Sequence, residues 1–439
     1  MQRIVYNGFV MPVVYGLFPA AARLHPKLRL FHDGRKNIRR RWSEQARRID
    51  GRPIWFHVSS VGEYEQARPV IGSLESRFPE IPVVLTFSSP SGFSYATGKE
   101  RRTGNVKFID YLPLDSRSNA RFCLATLDPR LLVFVKFDLW PNLIWEARER
   151  GTPSILIDAT LSRGSYRLTT LGRRFYRSVY NDLDRILAIS EPDALRFSAC
   201  VPDHRGISIA GDTRFDRVIE RKRNHRRPAM EKGRRTVVLA GSTWPKDESR
   251  LLPALSRLAA AEKDLLLIIA PHEPSRERVT GLREWAESRG LQTATWNERS
   301  TLSPAADRNQ ALIIDTVGVL AEAYSIADIA YIGGSFSTGV HSVIEPAVMG
   351  IPVLFGPAHK NSFEAIRLLE NEAAFSLHNA EEICNALTSL VRNPDARIAM
   401  GNRARLYVES QCGATHRCME TITNFIDTAG AQASAGQVE

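Results

Sequence analysis

The stretch PIWFHVSSVGEYEQARPV, residues 53–70, decides the fold. Its first half is a short, continuous apolar run ending in two serines, and its second half, opened by a glycine, has the length and mixed polarity of a helix. A continuous rather than alternating apolar run belongs to a parallel strand covered on both faces. The same strand-then-helix unit recurs at PVVLTFSS, RLLVFVKF, PSILIDAT and RILAIS, each bounded by Pro, Gly, Ser or Asp. Such alternation makes a doubly wound α/β sheet. A second series, TVVLAGST, LLLIIAPHE, ALIIDTVG, IAYIGGSF and PVLFGP, follows the polar and basic stretch 216–235. The expected architecture is therefore two doubly wound, Rossmann-like domains facing a cleft, with ligands outside the carboxyl ends of the strands.

Bulk properties agree with this reading. A chain of 439 residues exceeds what one core serves, and 43% hydrophobic with 24% charged residues is the composition of a globular protein. Five cysteines, scattered and without a CxxC pair, point to a reducing compartment and to no zinc site. No GxGxxG follows the early strands and no GxxxxGK[ST] occurs, which argues against dinucleotide and P-loop chemistry.

The net charge of +11 is unevenly placed. Residues 4–22 carry no charge, whereas between Leu24 and Arg52 ten Lys or Arg face three acids. An apolar segment with a cationic flank reads as a membrane anchor on the cytoplasmic face, drawn to anionic lipid. Pro12, Pro19 and Asn7 interrupt it, so monotopic insertion competes with a spanning helix. Nucleic acid is not the expected partner, because Phe31 and Trp42 are the only aromatics interleaved with these charges.

Candidate chemistry sits at the strand ends. Glu63 occupies the first turn after the first strand, where an acid meets the positive end of the helix dipole and also faces the expected cleft. Asp138, before Trp140 and Pro141, fits a helix N-cap, or else a carboxylate paired with Glu63 to poise a base. In AGSTWPKDE, Gly241, Ser242 and Thr243 end a strand, and either hydroxyl can cap the next helix or face a ligand. In GVHSVIEP, Ser342 and Glu345 form a capping box, or the helix start from His341 through Val343 and Ile344 holds a phosphate while Glu345 accepts from ribose hydroxyls. His272, beside Pro271, and Arg214, in GDTRFD, are further candidate contacts, the arginine as a counter-charge to phosphate.

Taken in order, HVSSVGE, YLPLDS, DLWPN, SEPDALRF, GDTRFD, GST, DTVGVL, YIGGSF and HSVIEPAVMGIPVLFGP resemble the 3-deoxy-D-manno-octulosonic acid (Kdo) transferases of lipopolysaccharide synthesis. The resemblance implies a glycosyltransferase B fold, an N-terminal membrane anchor at the cytoplasmic face of the inner membrane, CMP-Kdo as donor and the lipid A precursor (lipid IVA) as acceptor. It implies inverting, metal-independent transfer with Glu63 as general base. It places the nucleotide at the second domain's turns, here His272, Gly318 and 342–345. This chain departs from the family wording at KFDLWPN, where Lys136 and Asp138 replace two glutamates, and at Arg214, where lysine is common. The expected layout is an anchor and basic segment at 1–48, an acceptor-binding domain at 49–221, a nucleotide-sugar-binding domain at 222–426 and a flexible tail at 427–439. The runner-up is another glycosyltransferase B enzyme with a UDP- or ADP-sugar donor; more remote is a non-catalytic membrane or nucleic-acid-binding protein.

Overall fold

The computed structural model describes residues 2–100, 104–224, 230, 232–302 and 308–435. Two compact units result, one of residues up to Arg217 together with the chain from Cys412 onward, the other of Val218–Gln411. In the first unit β1 (Ile54–Val58), β2 (Val83–Phe87), β3 (Val106–Tyr111), β4 (Leu131–Val135), β5 (Ser154–Ala159), β6 (Arg185–Ala188) and β7 (Ile207–Ile209) form one sheet in the order 3-2-1-4-5-6-7. In the second, β8 (Thr236–Thr243), β9 (Leu265–Pro271), β10 (Gln292–Thr295), β11 (Gln310–Ile313), β12 (Ile329–Ile332), β13 (Val353–Phe355) and β14 (Ala374–Ser376) run 10-11-9-8-12-13-14. Every pairing is parallel. The expected doubly wound, parallel α/β class is observed in each unit.

Burial explains which strands the sequence showed. β1, β2, β4, β5, β9, β11, β12 and β13 are buried at every position, as strands covered by helices on both faces must be. The four strands without a continuous apolar run, β3, β7, β10 and β14, are the four sheet edges. An edge strand has one paired side and tolerates the polar residues seen in QTAT or VKFIDY.

The strand order reverses between β1 and β4 in the first sheet and between β8 and β12 in the second, where β10 and β11 are also exchanged at the far edge. Loops leaving such a pair diverge to opposite sides and open a crevice at the carboxyl edge. These two points carry candidate residues: Glu63 after β1 and Asp138 after β4 in the first unit, and Thr243 at the end of β8 and Gly333 after β12 in the second.

Three expectations about domain layout need correction. The boundary falls between Arg217 and Val218, inside the helix Thr213–Arg223, so the start of the expected linker is helical; 225–229 and 231 lie outside the described residues. The second unit ends at Gln411, not 426, because the helix Ala414–Ala435 returns to the first unit and places Cys418, Met419, Ile422 and Ile426 in the core with Ile54, Val133 and Ile155. Burying apolar side chains of this size contributes about 2 kcal/mol each. The expected flexible tail is a continuation of that helix through Ala435, and 436–439 lie outside the described residues.

The uncharged N-terminal segment is helical from Gln2 to Leu24, with a π-helical turn at Tyr6–Val10, and is long and apolar enough to cross a membrane. One side of it is nevertheless docked on the first unit by polar bonds. Arg3 pairs with Glu149 and Asp182 at 2.6 Å each, the Tyr6 hydroxyl donates to Asp115 at 2.9 Å, and the Asn7 amide donates to Asn142 at 2.8 Å. Ile4, Phe9, Val13 and Leu17 remain 57–73% exposed on the rest of its surface. Part of the basic flank is also consumed internally: Arg35 lies 3.5 Å over the Phe31 ring and donates to the Leu112 and Ser88 carbonyls, and Arg41 pairs with Asp110 at 2.8 Å.

Candidate active site

The turn after β1 is built by its two serines. Ser60 caps the helix Val61–Arg77 by accepting from the Glu63 N–H at 3.3 Å, which sets the first turn on top of the strand end. The Glu63 side chain folds back over that turn, where one oxygen accepts from the Ser59 hydroxyl at 2.6 Å and from the Ser59 N–H at 2.5 Å. Only 2% of Glu63 is exposed. Burial raises its pKa above the ordinary 4.5; the Ser59 bonds pull the other way, and the charge of Asp138 adds to the rise. A buried carboxyl with raised proton affinity can take a proton from a sugar hydroxyl, which ordinary carboxylates do poorly.

Asp138 does not cap the following helix. That helix, Pro141–Arg150, has Trp140 as its N-cap residue with no side-chain cap, and Pro at its start removes one donor that a cap would serve. Asp138 instead accepts from the Ser88 hydroxyl at 2.6 Å, the Trp140 indole at 3.2 Å and His57 Nε2 at 3.3 Å. Burial alone would raise its pKa, but these bonds and the His57 charge hold it below 3.8. Glu63 and Asp138 thus respond in opposite directions, one held ionised and the other poised to exchange a proton.

His57, fully buried on β1, links Asp138 to the sheet. Its Nδ1 lies 2.9 Å from the Thr86 hydroxyl, which itself accepts from the Trp55 indole at 2.7 Å. The Thr86 hydroxyl also lies 3.5 Å from the Phe56 carbonyl, so its proton has an acceptor there and its oxygen can accept from Nδ1–H while Nε2–H is aimed at Asp138. Thr86, Ser88 and His57 carry no signal in the sequence beyond standing at the ends of adjacent strands, and the register His57–Thr86 brings them together.

In the second unit, Trp244, His272 and His341 form a ring stack at the carboxyl edge of β8, β9 and β12. Trp244 and His272 are 4.6 Å apart at 26°, His272 and His341 are 4.5 Å apart at 13°, and the Trp244 indole donates to His341 Nε2 at 2.9 Å. Burial, with the charge of His272, lowers the His341 pKa, so this ring stays neutral near pH 7. A flat aromatic surface with imidazole edges suits a planar base.

The anchor of these turns is Asp247. Wholly buried, it accepts from the N–H groups of Trp244 at 2.9 Å, Gly334 at 2.8 Å and Phe336 at 3.1 Å. This corrects two expectations. Neither Ser242 nor Thr243 caps the helix Pro245–Ala261: Trp244 is its N-cap residue, Thr243 donates to Glu248 at 2.7 Å, and Ser242 takes a left-handed φ of 55°. The glycine pair serves packing, since a Cβ on Gly333 would lie 2.2 Å from the Ser242 carbonyl.

The Ser342–Glu345 capping box is also absent. The helix Ile344–Val348 has only five residues and no side-chain cap at its Val343 N-cap, and Glu345 accepts from Arg221 at 3.1 Å. Val343 and Ile344 are buried at 1% and 4% exposure, so their side chains face core, while Ser342 is exposed. Pro271 ends β9 in the interior opposite Thr243, Gly241 pairs with the preceding Ala270, and Gly318 lies in the exposed turn after β11 at φ 88°.

Arg214 is engaged by Asp212 through contacts of 2.6–3.1 Å, so its charge is already partly met. Beneath it Asp158, buried beside Asp212, is pushed up to about 8 by burial and by that neighbouring charge. Thr213 lies between: its N–H donates to Asp158 at 2.8 Å, and its hydroxyl is 2.7 Å from the Gln66 carbonyl and 2.8 Å from Asp158. Protonated Asp158 donating to a Thr213 hydroxyl that itself donates to Gln66 satisfies all three groups.

Residues 35–217 match the family described as 3-deoxy-D-manno-octulosonic-acid transferase (kdotransferase). Over 382 residues the chain is 28% identical to a 3-deoxy-D-manno-octulosonic acid transferase of Chlamydophila psittaci, covering 86% of each. It is 28% identical over 389 residues to the Bordetella pertussis enzyme of the same name, covering 85% of this chain and 87% of that one. Among solved structures, a UDP-GlcNAc 2-epimerase of Neisseria meningitidis superposes with TM-score 0.58 at 13% identity, covering 85% of this chain and 100% of that chain. A glycosyltransferase of Rickettsia africae does so with TM-score 0.53 at 12% identity, covering 86% and 99%. These two likenesses establish the fold alone. With the ordered motifs and the Glu63 turn, these matches make the chain similar to the Kdo transferases, whose family domain it matches over residues 35–217.

Proposed function

We propose that the protein transfers Kdo from CMP-Kdo to a hydroxyl of the lipid A precursor, lipid IVA, with inversion and without a resident metal, at the cytoplasmic face of the inner membrane. The observation that carries this reading is the Glu63–Asp138 pair at the first sheet's switch point, with proton affinities pushed apart. Glu63 takes the proton of the acceptor hydroxyl while that oxygen forms a bond to the anomeric carbon. The bond from that carbon to the phosphate oxygen breaks, and CMP leaves with the electron pair. Asp138 stays ionised and keeps the Glu63 proton affinity high. The nucleotide rests at the Trp244–His272–His341 surface and the turns at Gly318 and Ser342. Arg214 offsets the phosphate charge by exchanging Asp212 for it.

The N-terminal helix lies in the membrane interface. Its bonds from Arg3, Tyr6 and Asn7 to the first unit support an interfacial position over a spanning one, since a span would strip those polar groups of partners. The deciding experiment incubates purified protein with CMP-Kdo generated in situ and lipid IVA, chelator present, and reads lipid mass. A gain of one or more Kdo units that CMP suppresses and UDP does not supports the reading. CMP binding without transfer would make the acceptor wrong, and transfer from UDP- or ADP-sugars would favour the runner-up donor.

A further inference from the structure

The first unit carries a groove of about 760 Å³ that the reaction does not use. The helix Thr170–Tyr180 forms one wall, and Arg173, Arg174 and Arg177 all line it, with Gln2 and Asn181 adding amide groups. Spacings of three and four residues bring Arg177 beside both other arginines on one helix face. Like charges so placed repel, and among the described residues no carboxylate lines the groove. Arg177 pairs with Asp203 at 2.8 Å, and that contact is exposed on both sides. Among the described residues Arg173 donates only to the Leu168 carbonyl, at 3.4 Å, and no acceptor lies within hydrogen-bond distance of the Arg174 guanidinium. Three guanidiniums converging on one depression with little internal compensation suit a phosphate group, which they can hold through paired N–H bonds.

Where the groove lies narrows the ligand. Gln2 joins it to the start of the N-terminal apolar helix, donating to the Arg174 carbonyl at 3.3 Å. Immediately beyond stand Ile4, 73% exposed, and Phe9, 70% exposed, while Leu171 on the groove helix is 82% exposed. A free anion would need only the arginines, whereas a phosphate attached to acyl chains would use the apolar side chains as well.

We propose that this groove binds the phosphate of an anionic phospholipid headgroup and fixes how the first unit lies on the membrane. The inference rests on the interfacial reading of the N-terminal helix. It is separate from the Kdo chemistry, since none of these residues belongs to the Glu63 or Trp244 sites.

Co-sedimentation of the full-length protein tests it, using vesicles of phosphatidylcholine alone and of phosphatidylcholine mixed with phosphatidylglycerol. Arg173→Gln/Arg174→Gln/Arg177→Gln is compared with Arg257→Gln/Lys263→Gln/Arg289→Gln, which removes the same charge from exposed sites in the second unit. Thermal unfolding first establishes that both variants are folded. The groove variant is expected to lose roughly a hundredfold in partition onto the mixed vesicles, from three interfacial charges, and to keep its partition onto phosphatidylcholine. Equal loss in the two variants, or full retention by the groove variant, overturns the proposal. A melting shift of the wild type by inorganic phosphate as large as that given by mixed vesicles, absent in the groove variant, would overturn the lipid assignment in favour of a soluble anion. Failure of the wild type to bind either vesicle would instead sink the membrane reading beneath it.

Discussion

Glu63→Gln separates chemistry from binding at the candidate site. The substitution keeps the shape of the side chain, and Ser59 can still donate one bond to the amide oxygen, so the turn is expected to hold. What disappears is the group that accepts the hydroxyl proton, and loss of a positioned general base lowers kcat by about 10²–10⁴-fold. Stability should move the other way. The folded pKa of Glu63 lies above the ordinary 4.5, so the fold favours the protonated form, and ionisation costs stability progressively as pH rises from 4.5 toward the raised value. The amide cannot ionise, so the variant should gain melting temperature relative to wild type across that window, with little difference at more acid pH. The acid limb of wild-type kcat/KM should lie above the ordinary carboxylate range. Steady-state transfer, CMP binding by calorimetry and melting curves against pH test all three. A variant that keeps more than about a tenth of wild-type kcat would refute the base assignment, and a variant that loses CMP binding as well would show a structural rather than chemical role.

Asp138→Asn removes the charge that helps raise the Glu63 pKa, so the acid limb of the pH–rate profile should move toward lower pH; an unmoved limb would uncouple the two carboxylates. Asp247→Ala leaves the N–H groups of Trp244, Gly334 and Phe336 without their acceptor, and at about 1–3 kcal/mol for each buried donor left unmade it should lower the melting temperature sharply and weaken CMP binding. Denaturant titration that finds less than about 1 kcal/mol lost would refute the anchoring role. Asp158→Asn addresses a carboxyl whose pKa rises from 3.8 to about 8, so the stability of the protonated form is present below 3.8 and is lost as pH rises toward 8. The variant should flatten the stability profile over that window; parallel profiles would mean that Asp158 titrates normally.

Much of the site was legible because strand ends are local features. The HVSSVGE turn placed Glu63, and a run of apolar residues before Asp138 placed it at another strand end. Their electrostatic coupling follows from the strand order of the first sheet, which sets β1 beside β4. The helix caps failed systematically. Asp138, Ser342 and Thr243 each stand where a cap belongs, yet Asp138 has tertiary partners, and the helices near the other two start one residue later, at N-caps Val343 and Trp244. Asp138 was taken by Ser88 and His57, Thr243 by Glu248, and Glu345 by Arg221.

By itself the sequence determined two parallel sheets, their central strands and the turns that bear the acids, because continuous apolar runs and strand-end glycines and serines report burial within a few residues of chain. Only the tertiary structure decided which polar groups meet. His57 reaches Asp138 across 81 residues of chain, Asp247 holds the Gly334 turn across 87, and the helix Ala414–Ala435 returns to a core laid down by the first half of the protein. Contacts of that separation depend on strand order and register, which no local pattern encodes, and in a buried setting they outcompete the caps and tails that local pattern favours.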